Sequence, residues 1–195
     1  MSLVLGLGNP GERYATTRHN VAWWVLDLLA ERGAAVELEP HALYRARLAS
    51  IEGKSLVLLQ PLTFMNLSGD ALAEWERRHG AVSGQWMAVT DDVYLPVGAL
   101  RLRAQGSSGG HRGLESLESS VGSRDFPRMR LGVGEADEAA GLRSHVLETF
   151  SPEELPVMQE GVRLAADAIE CWLHEGWDSA MNRFNRRVKK EEPKP

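Results

Sequence analysis

The sequence predicts a layered α/β fold on a mixed sheet, and three observations carry that prediction. Short apolar runs alternate with stretches whose apolar residues recur at helical spacing. Residues 43–60 pattern as two strands joined through Glu52-Gly53-Lys54, a hairpin, so at least one strand pair is antiparallel. A chain of 195 residues with 43% apolar content is sized for one domain with a substantial core.

The elements follow in order. Ser2–Leu7 is an apolar run ending in glycine and reads as a buried strand. Asn20–Arg32 reads as a helix, with Val21, Trp24, Val25 and Leu28 on one face and Gly33 as its stop. Ala35–Leu38 patterns as a short strand, and the hairpin strands are Leu43–Ile51 and Ser55–Gln60, the second stopped by Pro61. Ser68–His79 is helical in spacing and ends at Gly80. Met87–Thr90 is a strand with Asp91 and Asp92 at its C-terminal edge. Residues 98–103 and 128–134 alternate as half-exposed strands do, and His111–Val121 between them reads as a helix. From Pro152, apolar residues at three- and four-residue spacing, from Leu155 to Trp172, predict a long amphipathic helix. A short helix over Trp177–Asn185 precedes a charged tail, 186–195, expected to be disordered.

Charge is uneven. The net charge is −5, which gives no prior for nucleic acid. Yet Arg101, Arg103, Arg112, Arg124, Arg128 and Arg130 outnumber the acids of residues 98–130, and bases outnumber acids over residues 183–195. These stretches read either as an anion-binding face or as ordinary solvated surface. The single cysteine, Cys171, forms no internal disulfide, which fits a reducing compartment. Residues 1–11 read as strand and turn rather than a leader, and no apolar run approaches the ~18 residues of a membrane span.

The segment Gly6-Leu7-Gly8-Asn9-Pro10-Gly11 matches the spacing of a dinucleotide fingerprint. That fold opens a helix at the second glycine, whereas Glu12–His19 is mostly polar and lacks an apolar face, which argues against a nicotinamide cofactor. No H-x-x-x-H or H-E-x-x-H pair occurs among the histidines, so no metal is expected. There is no G-x-S-x-G elbow for a serine nucleophile. Cys171, beside Trp172 on the long helix, reads as a packed thiol. What remains is His19, Asp91, Asn9 and Asn66 near strand ends. A histidine oriented by a carboxylate acts as general base on water, and an amide N–H stabilises an oxyanion. That set suits hydrolysis of an activated ester without a covalent intermediate. Each residue also has a structural alternative: a buried histidine, a helix cap at Asn66 or Ser68, a turn at Asp91-Asp92.

These residues fall in segments that resemble the bacterial peptidyl-tRNA hydrolases. The segments are GLGNPG with Tyr14 and TRHN at 17–20, PLTFMNLSG at 61–69, DD at 91–92 and LRLR at 100–103, then SSGGH at 107–111, RMRLGVG at 128–134 and AMNRFN at 180–185. The resemblance implies one domain over residues 1–185, an α/β/α sandwich with a mixed twisted central sheet. It implies cleavage of the ester between a peptide and the 3′ ribose of tRNA, recycling tRNA from stalled translation, by a cytoplasmic, monomeric enzyme needing no metal or cofactor. By position, His19 is then the base and Asp91 its orienting carboxylate. Asn9 and Asn66 position substrate and oxyanion, Tyr14 and Met65 line the cleft, and Arg103 and Arg130 lie near tRNA phosphate.

The sequence also departs from the family pattern. Arg112 stands where the family carries Asn, Tyr94 precedes Leu95-Pro96 where Asp is common, and Ala22 replaces a glycine. An amide donates and accepts, whereas a guanidinium only donates and stays charged. Arg112 therefore either weakens an Asn-dependent step or clamps a phosphate bidentately. The departures motivate an alternative, a non-catalytic RNA-binding or adaptor protein on the same fold.

Overall fold

In the computed structural model, which describes residues 1–82, 85–135 and 141–185, one seven-stranded sheet forms the centre. The strands are β1 (Ser2–Gly6), β2 (Val36–Glu37), β3 (Tyr44–Ile51), β4 (Lys54–Pro61), β5 (Trp86–Asp92), β6 (Leu100–Arg103) and β7 (Arg128–Gly132). Their spatial order is β2-β3-β4-β1-β5-β7-β6. The inner strands β4, β1, β5 and β7 are parallel. The hairpin of β3 and β4 and the outer pairs β2–β3 and β6–β7 are antiparallel, so the sheet is mixed, as the hairpin predicts.

Helices cover both faces. On one side α1 (Val21–Arg32), α5 (Glu154–Glu175) and α6 (Trp177–Phe184) pack against Val4, Leu56, Leu58, Met87 and Val89. On the other, α2 (Ser68–His79) and α3 (Arg112–Val121) pack against Leu3, Leu5, Val57, Leu59 and Ala88. The period-two alternation of side chains along a strand sorts these residues into two cores. A sheet buried on both faces accounts for the nearly uninterrupted apolar runs in β1 and β4.

The glycine-rich segment after β1 serves this packing. A Cβ on Gly6 would lie 2.7 Å from Leu26, and one on Gly8 would lie 2.5 Å from the Trp23 indole. Trp23 Nε1–H in turn donates to Gly6 O at 3.0 Å. Trp23 thus occupies the space over Gly8 where a phosphate cradle would have to open, and these glycines let α1 close onto β1.

Two boundaries differ from the sequence reading in ways that matter. Strand β5 continues through Asp91 and Asp92, which pair with Leu131 and Gly132 of β7. Helix α4 (Leu142–Leu147) is an element the sequence does not announce: it is six residues long and has no side-chain cap. The predicted tail, 186–195, lies outside the described residues.

Candidate active site

Strands β1, β4 and β5 all end at one edge of the sheet, and the connections leaving them carry Asn9, Met65 and Asn66, while Asp91 is the penultimate residue of β5. The ends of parallel strands near a change in connection direction are where open α/β sheets bind ligands. Here they border a cleft of about 620 Å³. Asn9, His19, Met65, Asp91 and His111 line its interior, Arg13, Tyr14, Phe64, Asn66, Arg112 and Arg130 its rim, and Leu142, Val146 and Leu147 of α4 one apolar wall.

Asn9 is 7% exposed and held from both sides. Its backbone N–H donates to Asn20 Oδ1 at 2.9 Å, and Asn20 Nδ2 donates back to Asn9 O at 2.9 Å. The Met65 backbone N–H donates to Asn9 Oδ1 at 2.9 Å. A backbone N–H only donates, so the amide oxygen must face Met65 and Nδ2 is left as the free donor. The local fold thereby fixes which end of the Asn9 amide a substrate meets.

His19 sits in a 3-10 turn, Arg18–Asn20, immediately before α1. Its Nδ1 lies 2.9 Å from both oxygens of Asp91. An ionised carboxylate only accepts, so His19 carries its proton on Nδ1 and presents an unprotonated Nε2. Arg18 anchors the turn from behind, donating to Val133 O at 2.8 Å and forming a bidentate pair with Glu154 on α5. Burial lowers the proton affinity of His19, but the charge of Asp91 and the hydrogen bond to it more than offset this, and the net pKa is raised above 6.5. Burial pushes Asp91 upward, and the two imidazoles, His19 ahead of His111, more than reverse that, holding it well below the usual carboxylate range.

His111 is the second imidazole on this carboxylate. Its Nε2 is 2.9 Å from Asp91 Oδ1 and 2.7 Å from Thr90 Oγ1, while Nδ1 faces the backbone N–H groups of Gly113 and Leu114 at 3.2 and 3.3 Å. His19, Asp91 and His111 place donor atoms within 4.8 Å of one another. Hydrogen bonding accounts for that convergence, since both ring nitrogens that meet the carboxylate are already engaged with it.

Comparison with known proteins identifies the family and the fold. The family model described as peptidyl-tRNA hydrolase matches residues 3–193. The chain belongs to the peptidyl-tRNA hydrolase family. A peptidyl-tRNA hydrolase of Syntrophomonas wolfei is 42% identical over 95% of this chain and 100% of its own length. One from a Synechococcus strain is 43% identical over 95% of this chain and 83% of its own. The crystal structure of the peptidyl-tRNA hydrolase from Acinetobacter baumannii superposes with a TM-score of 0.87 at 28% identity, covering 95% of this chain and 94% of that one.

Of the residues that the resemblance to peptidyl-tRNA hydrolases singles out, the fold brings most to one place. Asn9, Tyr14, His19, Met65, Asn66, Asp91, Arg112 and Arg130 all border the cleft. Asn66 does not cap α2, whose first turn follows Leu67 without a side-chain cap. Asn66 and Arg112 together form the lip between the cleft and a second depression lined by Asp70, Glu115 and Ser116. Arg103 lies outside the cleft, exposed on the edge strand β6. The guanidinium of Arg130 is engaged with Asp92 Oδ2 at 3.3 Å and with the carbonyls of Ser107 and Ser108 at 2.9 Å. Arg128, part of the same basic stretch in the sequence, is 1% exposed, stacks on Phe126 and pairs with Glu118, so it adds nothing to the surface field.

Two residues that no sequence argument assigned a role support this cleft: Asn20, which clamps the Asn9 backbone, and His111. Both precede a helix, at positions where a polar side chain reads as a cap. For His111, the flanking glycines at 109, 110 and 113 were the available signal of a close approach. A Cβ on Gly113 would lie 2.5 Å from Met65 Sδ.

Proposed function

We infer that this chain hydrolyses peptidyl-tRNA, releasing the peptide from the 3′ ribose. The observation that carries the reading of the site is the buried His19–Asp91 pair, with His19 Nε2 left free in the cleft that Asn9 also lines. In the proposed mechanism, His19 Nε2 takes a proton from water as the water oxygen attacks the ester carbonyl carbon. Asp91, ionised and close to Nδ1–H, stabilises the imidazolium that forms. Asn9 Nδ2 donates to the tetrahedral oxyanion. Collapse breaks the carbonyl carbon–O3′ bond, and the imidazolium returns its proton to the ribose 3′ oxygen. The products are the peptide acid and tRNA with a free 3′ hydroxyl.

The remaining residues are assigned to substrate holding. Tyr14 and Met65 border the acceptor end and the first peptide residue, and Asn66 offers its exposed amide from the lip. Strands β6 and β7 set Arg101 opposite Arg130 and Arg103 opposite Arg128. The exposed Arg101 and Arg103 thus form a cationic strip leading away from the cleft, suited to tRNA phosphates. Phosphate contacts supply affinity without reading sequence. Arg112 is assigned to a phosphate near the 3′ end.

We further propose that residues 1–185 form the whole catalytic unit and that it acts as a cytoplasmic monomer. The cleft of this chain already holds a base, its carboxylate and an amide donor in His19, Asp91 and Asn9, and Cys171 is buried. Among the described residues, no helix is long and apolar enough to cross a membrane.

The test is cleavage of N-acetyl-aminoacyl-tRNA by the wild-type protein and by His19→Ala, each with and without EDTA. Loss of a general base costs about 10²–10⁴-fold, so cleavage by wild type alone is the expected result. Equal turnover by His19→Ala would overturn the mechanism. Tight tRNA binding without cleavage by the folded wild type would return the adaptor reading.

A further inference from the structure

We propose that His111 is a positioning residue for this reaction, a neutral imidazole that caps α3 through Nδ1 and fixes the Asp91 carboxylate through Nε2–H. The inference rests on the hydrolase reading and deepens it.

The backbone sets the tautomer. Nδ1 faces two N–H groups, those of Gly113 and Leu114, which are the second and third residues of α3. These donors have no partner within the helix. An N–H on His111 Nδ1 would meet them donor to donor, so Nδ1 is unprotonated and the ring proton is on Nε2. That proton is then available to Asp91 Oδ1 at 2.9 Å, with Thr90 Oγ1 as a second acceptor at 2.7 Å, its own O–H directed to Asp91 O. The cap and the carboxylate contact are two ends of one ring, and each requires the other's protonation pattern.

The consequence for the site is directional. Asp91 Oδ1 receives His111 from one side and His19 from the other, so the carboxylate is clamped between two rings whose centroids are 5.2 Å apart. Without His111, Asp91 keeps one strong partner, His19, and can rotate about its own side-chain bonds. His111 also tempers Asp91 as an acceptor, because a carboxylate oxygen shared by two donors binds each less strongly. His19 should therefore hold its proton more firmly when His111 is removed. The other charged groups facing the cluster are Asp92, Arg13, Arg112 and Arg130 along the cleft; Arg18, next to His19, is turned away onto Glu154. Close approach of α3 makes the contact possible, and Gly113 permits it, since any side chain there would collide with Met65.

The decisive variant is His111→Asn. Asn is among the best helix caps, so it retains the acceptor for α3, but its side chain ends short of Asp91. Thermal stability should stay close to wild type, whereas His111→Ala, which loses both functions, should also lose stability. For His111→Asn, kcat should fall about 10- to 100-fold, by analogy with the loss when a hydrogen-bonding partner behind a metal ligand is removed. KM should change less than kcat, and the acid limb of the kcat profile should move to higher pH. A purely structural role for His111 would leave that limb in place. Independently of activity, nitrogen NMR of the wild-type imidazoles at neutral pH should show His111 with a proton on Nε2 and a bare Nδ1. A His111 ring protonated on Nδ1, or a His111→Asn enzyme with wild-type kcat and acid limb, would overturn the proposal. Should the wild type fail to cleave the ester at all, the hydrolase reading fails, and the NMR result still decides the tautomer.

Discussion

Replacing Asp91 by Asn tests the proposed mechanism most sharply, because the change removes one charge and almost no volume. In the wild type, His19 Nδ1–H faces both carboxylate oxygens at 2.9 Å, and Asp91 is buried, so water cannot take over its role. An opposite charge this close shifts a pKa by roughly 1–3 units, and each unit is about 1.4 kcal/mol. Asp91 raises the pKa of His19 above its ordinary value while burial lowers it. With the charge gone, burial prevails, and the acid limb of kcat moves to lower pH by ~1–3 units. The imidazolium formed in the reaction loses the same ~1.4–4 kcal/mol, and a half-completed proton transfer would carry half of it into the barrier, a loss of about 3- to 30-fold in kcat. A second effect adds to this. The new Nδ2 takes the place of an oxygen that faced His19 Nδ1–H, a donor against a donor. Relief by moving the His19 proton to Nε2 would leave the base in the wrong tautomer, an error that costs about 10⁴-fold in the serine-protease triad. The expected rate loss therefore lies between about 3-fold, where the tautomer is kept, and about 10⁴-fold, where it is lost. The assay is the kcat profile for N-acetyl-aminoacyl-tRNA from acid to neutral pH, where the ester survives. An acid limb that stays in place or moves upward, or a kcat within about twofold of wild type, would refute the assignment of Asp91 as the charge on His19.

Three further outcomes follow from the same geometry. Asn9→Ala removes the one amide donor whose orientation the Met65 N–H fixes, and kcat should fall about 10²–10³-fold as for other oxyanion donors; steady-state kinetics with KM unchanged is the check. Arg112→Asn should raise KM about tenfold, the worth of one charge-assisted hydrogen bond, with kcat kept; a fall in kcat instead would place Arg112 at the reacting centre. Arg103→Ala should weaken tRNA binding and flatten the slope of log Kd against log salt by about 0.7–0.9, the contribution of one phosphate contact; filter binding over a salt series reads it, and an unchanged slope would remove Arg103 from the interface.

Much of the scaffold was legible because burial writes a local pattern. The alternating two-sided burial of β1 and β4, the Ser68–His79 helix and the hairpin at Glu52-Gly53-Lys54 each follow from neighbours in sequence. The cluster of His19, Asp91, Asn9 and Asn66 at one sheet edge was legible for a related reason: each follows or ends a strand, and parallel strands share a C-terminal edge. Helix α4 was not legible. With six residues and no cap, its position follows from contacts distant in sequence, including His145 Nε2 within 3.0 Å of Gly134 O. Arg128 misled for the opposite reason, since a charge count cannot see that Phe126 and Glu118 bury and neutralise it.

His111 shows where sequence reading stops. Its cap on α3 is a local property, written in the spacing from His111 to Gly113 and Leu114. Its contact with Asp91 is not local, because 20 residues and the sheet's own register separate the two. What joins them is Gly113, whose missing side chain lets the first turn of α3 settle against Met65 and Leu7. Met65 is in turn the residue whose N–H orients Asn9. The oxyanion donor and the positioned carboxylate therefore share one packing contact. A side chain at Gly113 should disturb both at once: Gly113→Ala should lower kcat by more than His111→Asn does, while leaving the distant Arg103 salt slope intact. Loss of kcat no greater than that of His111→Asn would show that the two halves of the site are set independently.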